Sequence, residues 1–349
     1  MIMMNNVNNH RRLPAEWENS KAILLSWPHE ETDWAPMLNE VSECFVRIAT
    51  AVVEEMWLVV VAPDIEVPKQ WLKSLDSNRI IYCQIPTNDT WARDFGPITV
   101  FEESQPKICD FKFNGWGLKF ASNFDNLITK NLYELGVLKG ELENRLGFAL
   151  EGGSIDSDGC GTVLTTSECL LSLNRNGDKS QQQIEDYLKE AFGANRILWL
   201  NHGYLAGDDT DSHIDTLARF ASPDTILYVK CDDPNDEHYQ ELSLMEQELK
   251  SFVTAEGLPY HLIGLPMTAP AYDEDNQRLP ATYANFLITP ESVLMPTYGS
   301  PVFDTLAAQM LQMAFPGRTI KPIDCQALIR QHGSLHCVTM QLPSEILSI

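Results

Sequence analysis

Positive charge is what this sequence has least of. Only 25 lysines and arginines stand against 49 aspartates and glutamates, a formal net charge of −24 over 349 residues. So acidic a surface repels phosphate backbones and anionic lipid, which argues against nucleic acid or a membrane surface as partner and favours cationic ligands. Long apolar runs are missing as well. No stretch is long enough to span a bilayer, and the amino-terminal "MIMMNNVNNHRRLP" has no apolar segment of the signal-peptide kind, so a soluble, cytoplasmic protein is expected. The eight cysteines (44, 83, 109, 160, 169, 231, 325 and 337) form no C-x-x-C pair and no even spacing. They read as reduced, mostly buried thiols rather than a disulfide framework. Also absent are a G-x-G-x-x-G after a strand, a G-x-x-x-x-G-K-[ST] and a G-x-S-x-G, which removes the usual signatures of nucleotide binding and of serine hydrolases.

What is present recurs. Strand-like runs appear at "KAILLSW" (21–27), "RIIYCQI" (79–85), "NRLGFAL" (144–150), "RILWLN" (196–201), "LPYHLIGL" (258–265) and "RTIKPI" (318–323). Helical patterns lie between them at 37–55, 180–193, 239–257 and 303–317; in the third, Leu242, Met245, Leu249 and Phe252 fall three and four apart as a core-facing stripe. Alternating strands and helices predict an α/β protein. No long or low-complexity linker interrupts the chain, so residues 1–349 read as a single domain of repeated units around a common centre.

The polar linkers after these runs occupy matching places. Asp94 lies 14 residues after Ile80, His213 and Asp215 lie 16 and 18 after Ile197, Cys337 lies 17 after Ile320, and Glu151 follows its strand directly. Equivalent linkers around a pseudo-symmetry axis would bring these groups into one pocket.

Each linker has an ordinary reading beside the chemical one. "GDDTDSHID" (207–215) is a solvated acidic turn, a cation site, or a histidine among carboxylates that hold a cationic substrate. Calcium would want alternating oxygen ligands, a central glycine and a closing glutamate, which are missing. His213 and Asp215 precede "TLARF" and are expected on one face of a strand. In "HGSLHCVTM" (332–340) Cys337 is either one more buried thiol or a nucleophile at the mouth of a strand. Zinc on His332 and His336 would need a helix to align the rings, and Gly333 and Ser334 argue against one. "NDTWARDFGP" (88–97) is an ion-paired turn or a carboxylate beside an aromatic wall, with the direction of Arg93 open. "LEGGSID" (150–156) puts Glu151 before two glycines where backbone can approach a ligand.

In chain order, "NDTWARDFGP", "FNGWGLKF", "EGGSID", "DDTDSHIDTLARF" and "GSLHCVTMQ" resemble the signature blocks of the agmatine deiminase and Porphyromonas-type peptidylarginine deiminase family. The blocks run from residue 88 to 341, and the repeat spacing extends the likeness over nearly the whole chain. The resemblance implies a five-fold pseudo-symmetric α/β-propeller, a pentein, of ββαβ units around a central active site. It also implies Cys337 as nucleophile, His213 as general acid and base, Asp94 and Asp215 as guanidinium-binding carboxylates, and Glu151 as a supporting acid. Trp91 and Trp116 would line the substrate slot. One departure is that Gln331, His332 and Gly333 stand where relatives often carry a run of glycines.

Such an enzyme hydrolyses a small guanidine through a covalent thiouronium and requires neither metal nor organic cofactor. Asp208, Asp209 and Asp211 suit an amine-tailed substrate, with Asp209 taken as a substrate contact. Agmatine is therefore expected, giving N-carbamoylputrescine and ammonia, ahead of free arginine and peptidyl-arginine. An amidinotransferase and a non-catalytic cation-binding scaffold are the rival readings. Homo-oligomerisation is left open.

Overall fold

Among the described residues, five separate sheets repeat one pattern of connections. The computed structural model describes residues 11–18 and 20–349. The amino-terminal stretch at 1–10, read above for its lack of an apolar segment, lies outside the described residues.

Each sheet pairs two strands antiparallel and then sends the chain through a helix to a third strand parallel to the second. In one unit, Ile98–Glu102 pairs with Gln105–Lys112, and the helix Ile128–Glu134 leads to Glu141–Ala149. In the next, Ile155–Ser157 pairs with Thr162–Thr166, and Gln181–Phe192 leads to Arg196–Leu200. Ala218–Ser222, Thr225–Lys230, the helix Tyr239–Ser251 and His261–Pro266 repeat the order, as do Leu287–Ile288, Ser292–Thr297, the helix Pro301–Ala314 and Thr319–Asp324. The last unit joins the two ends of the chain. Met340–Pro343 pairs antiparallel with Ser20–Ser26, the helix Leu38–Val53 follows, and Trp57–Ala62 lies parallel, with Ile80–Gln84 added beyond it.

The local sequence accounts for these elements. "WLVVVA" is buried along all but its first residue, as a parallel strand covered on both faces requires. In Leu38–Val53 the buried Val41, Cys44, Phe45, Ile48, Ala49 and Val52 form one helical face. The helix Gln181–Phe192 starts at a reciprocal capping box between Ser180 and Gln183. The six strand-like runs read from the sequence each fall on a strand, and the four helical patterns each fall on a helix.

One local expectation differs from the structure. His213 and Asp215 are not on a strand: Ile214–Thr216 is a single 3₁₀ turn and the strand starts at Ala218. Cys337 sits in a turn three residues before Met340, at the entry to a strand as expected. No helix among the described residues is long and apolar enough to cross a membrane, and all eight cysteines are free thiols.

Candidate active site

The segment entering the first strand of each unit contributes a polar group to one place. Asp94 precedes Ile98, Glu151 precedes Ile155, His213 and Asp215 precede Ala218, Asn285 precedes Leu287, and Cys337 precedes Met340. Three of these segments are single helical turns, Ala92–Phe95, Gly152–Ser154 and Ile214–Thr216. A turn so short leaves backbone N–H groups unused by the helix, and one of them is spent on a carboxylate: Gly153 N–H donates to Asp94 Oδ1 at 3.0 Å. Gly153 also fixes how closely the units approach. A β-carbon there would stand 2.7 Å from His213 Nδ1, 2.8 Å from Asp94 Oδ1 and 3.1 Å from Asp215 Oδ2, so only glycine lets these groups crowd together.

His213 is buried, with Nδ1 3.6 Å from Asp94 Oδ1 and Nε2 3.8 Å from Glu151 Oε2. Burial disfavours its charged form, but the surrounding acids, Asp94 foremost, outweigh burial and hold its pKa well above the usual histidine value. Burial pushes Asp94 itself up to about 6 although His213 opposes it. Trp116 supports that carboxylate through an indole N–H bond to Oδ2 of 2.8 Å. The indole gets there because Gly115, Trp116, Gly117 and Leu118 all have positive φ, a left-handed turn for which the two glycines are suited.

Cys337 is 7% exposed and its backbone N–H and Sγ both lie 3.3 Å from Asn285 Oδ1. Burial, with Asp215 and Asp94 adding to it, raises its thiol well above the ordinary cysteine pKa. The thiol opens on a pocket of about 160 Å³ whose walls include Trp91, Trp116 and Phe120. Asp94 lines it, as do Asp33, Asp89, Asp208 and Asp209, and no lysine or arginine does among the described residues.

The acidic stretch at 207–215 thus divides its labour. Asp208 and Asp209 face the pocket. Asp208 also fixes the loop, accepting from Thr210 Oγ1 at 2.6 Å and from the Ser212 N–H at 2.7 Å. Asp211 pairs with Arg175, 2.5 Å, and Lys119, 2.7 Å. The groups that raise His213 are led by Asp94, followed by Cys169 and Glu151, rather than by Asp208, Asp209 and Asp211.

Arg93 is buried and turns away from the pocket: Nε donates to His336 O at 3.4 Å and Nη1 to Gln341 Oε1 at 2.5 Å. His332 and His336 do not meet; His332 Nδ1 lies 2.7 Å from Gly207 O, whereas His336 lies 2.7 Å from both Asp215 and Glu16. Glu151, Cys169 and His213 bring donor atoms within 4.8 Å of one another, the one such group among the described residues. The cation at Glu151 is Arg175, whose Nε lies 2.9 and 3.0 Å from its two oxygens, so this set does not fit a metal ion.

Sequence reasoning missed Asn285, His336, Glu16 and Arg175. Asn285 was within reach, since it holds in its own unit the place that Asp94, Glu151 and Cys337 hold in theirs.

A family model for Porphyromonas-type peptidyl-arginine deiminase matches residues 12–343. The chain belongs to that family. A protein of Porphyromonas gingivalis, assigned as an arginine deiminase, is 51% identical, and its structure superposes with a TM-score of 0.91 over 97% of this chain and 99% of its own. A C. jejuni agmatine deiminase with substrate bound is 39% identical, TM-score 0.89, over 95% and 96% of the two chains. A relative from Legionella pneumophila (strain Paris), assigned as an agmatine deiminase, is 34% identical over 95% of both chains. At the level of fold alone, a dimethylarginine dimethylaminohydrolase, 13% identical, covers 93% of this chain and all of its own with a TM-score of 0.51. Members of the family are hydrolases of C–N bonds, and this chain is an enzyme of that type.

Proposed function

We propose that this chain deiminates a small, amine-tailed guanidine, agmatine foremost, to the ureido product and ammonia. The observation that carries the reading is a single pocket in which the Cys337 thiol, Asp94 and the aromatic walls of Trp91 and Trp116 face four further aspartates, with His332 but no lysine or arginine among the described lining residues. A guanidinium is planar and cationic, so paired carboxylates can bind its N–H edges and present its carbon to sulfur. An acidic pocket mouth suits an amine tail and repels the carboxylate of arginine.

The steps follow from the groups present. The arriving guanidinium brings positive charge next to Cys337, favouring release to solvent of the thiol proton that the carboxylates otherwise hold in place. The thiolate adds to the guanidinium carbon, and protonated His213 gives its proton to the departing nitrogen, which leaves as ammonia. The S-alkylthiouronium that remains is attacked by water as His213 takes a proton from it. Collapse of that adduct expels Cys337 and frees the ureido product. Glu151, fixed by Arg175, steadies the charged form of His213. The same reading closes the five units into a five-fold pseudo-symmetric α/β-propeller with the pocket at its axis, and has the enzyme working in the cytoplasm.

The test is kcat/KM on agmatine, free arginine and a blocked arginyl peptide. Agmatine is expected to be preferred by at least an order of magnitude, and a preference for either arginine-based substrate would overturn the substrate assignment while leaving the deiminase chemistry standing.

A further inference from the structure

Asp215 is wholly buried, and its two oxygens are treated differently. Oδ2 lies 2.7 Å from His336 Nδ1, whereas Oδ1 has no partner among the described residues. The far side of the imidazole is held as firmly: His336 Nε2 lies 2.7 Å from Glu16 Oε2. Glu16 is fixed in turn by Arg219 Nη2 at 2.5 Å and by the Ile288 N–H at 2.6 Å. The backbone N–H of His336 donates to Asn285 Oδ1 at 2.9 Å, the same oxygen that receives Cys337. Two ionised carboxylates can only accept, so each ring nitrogen must carry a hydrogen, and the ring cannot turn without losing two charge-assisted bonds.

We infer that His336 is a positioning residue of the reaction: its Nδ1–H pins Asp215 Oδ2 so that Oδ1 is the oxygen presented to the guanidinium, and Glu16 locks the ring from behind. This is the relation of an outer partner to a metal ligand, transposed to a carboxylate that binds substrate. It rests on the reading of the pocket as a guanidine deiminase site. The competing role is architectural, with His336 serving to anchor the amino-terminal segment through Glu16.

The two roles use different nitrogens, and two substitutions separate them. In His336→Asn the amide nitrogen stands near the position of Nδ1, keeping a donor for Asp215 and losing the one for Glu16. In His336→Gln the longer amide reaches the position of Nε2, keeping Glu16 and losing Asp215. A pH profile adds a second readout. Asp215 is faced by His336 and His213, by Asp94 and Cys337, and from behind by Arg219 and Arg93. Burial drives its pKa up, but the His336 bond and the charges of His336, His213 and Arg219 outweigh it and hold Asp215 below the usual carboxylate range. Loss of the Nδ1 donor lets Asp215 protonate at higher pH, which adds a second protonation to the acid limb that Asp94 sets at about pH 6, so the limb of kcat/KM steepens and moves upward.

The experiment is steady-state kinetics of wild type, His336→Asn and His336→Gln on agmatine across pH, with thermal melting as a check of folding. His336→Asn is expected to keep kcat/KM within about tenfold of wild type. His336→Gln is expected to lose about a hundredfold or more, with the larger upward shift of its acid limb. The reverse order, or equal activity with an unmoved limb, overturns the inference. If neither variant folds, the ring proton resonances of His336 in isotope-labelled wild-type protein decide: a guanidine inhibitor is expected to move them, and unmoved resonances overturn the assignment. Wild-type turnover is the separate control, since its absence on every guanidine sinks the functional reading itself, whereas normal wild-type turnover with His336→Gln matching or exceeding His336→Asn sinks only the role of His336.

Discussion

A thiol packed among carboxylates is a poor nucleophile until something cationic arrives. Burial and the neighbouring Asp215 and Asp94 hold Cys337 well above the ordinary cysteine pKa, so in the empty enzyme the thiolate forms only in strongly alkaline solution. The rate of inactivation by iodoacetamide is therefore expected to keep rising with pH beyond 9, with Cys337→Ala as the blank for the other thiols; a plateau reached near neutrality would show that the thiolate is already formed without substrate. Asp94 offers a second titration. Its pKa, raised to about 6, means that the carboxylate is lost as pH falls through that value, and kcat/KM should fall with it. Trp116→Phe removes the N–H that favours the ionised form, so that limb should move to higher pH, with a loss at neutral pH of about 1.5–3 kcal/mol, or roughly ten- to a hundredfold. An unshifted limb would show that the indole only packs. At this scale the sequence was legible where a residue combined reactive chemistry with a matching place in its unit, as Cys337, His213, Asp94 and Glu151 do. Arg175 and Glu16 had no such signal. Arg175 acts on Glu151 across 24 residues and Glu16 on His336 across 320, and no local pattern announces either contact.

Short turns, rather than strands or helices, carry the site. A one-turn segment such as Gly152–Ser154 or Ile214–Thr216 has no hydrophobic period to read. The elements that frame the site were therefore visible in the sequence, while the conformation of the site residues was not, and "HIDTLARF" reads as a strand from its beginning. What the sequence does show is the glycine pair after Glu151. Gly153→Ala places a methyl group against His213, Asp94 and Asp215 together, and kcat/KM is expected to fall at least about a hundredfold by displacement of these groups. Far-UV circular dichroism should stay that of the wild type. Near-normal activity would mean that the three groups have room to move apart, contrary to the crowding described.

In the whole molecule, the strand next to Cys337 is also the one that joins the chain's two end segments, since Met340–Pro343 pairs with Ser20–Ser26. Ending the chain at residue 339 keeps Cys337 but leaves the buried strand Ser20–Ser26 with an open edge, and such a protein is expected to lose cooperative thermal unfolding as well as activity. A sharp melting transition at the wild-type temperature would show that the last unit does not depend on this pairing. The spacing of the strand-like runs foretold the repetition, because every unit reuses the same order of elements. It could not foretell that the last unit is made from both termini, which is a long-range pairing with no local trace. That these units meet so that Cys337 deiminates a cationic guanidine, as proposed, is tested most directly by quantifying ammonia and ureido product from agmatine with wild type and Cys337→Ala side by side. Equal amounts of the two products from wild type and none from Cys337→Ala are predicted; undiminished turnover by Cys337→Ala would contradict the account.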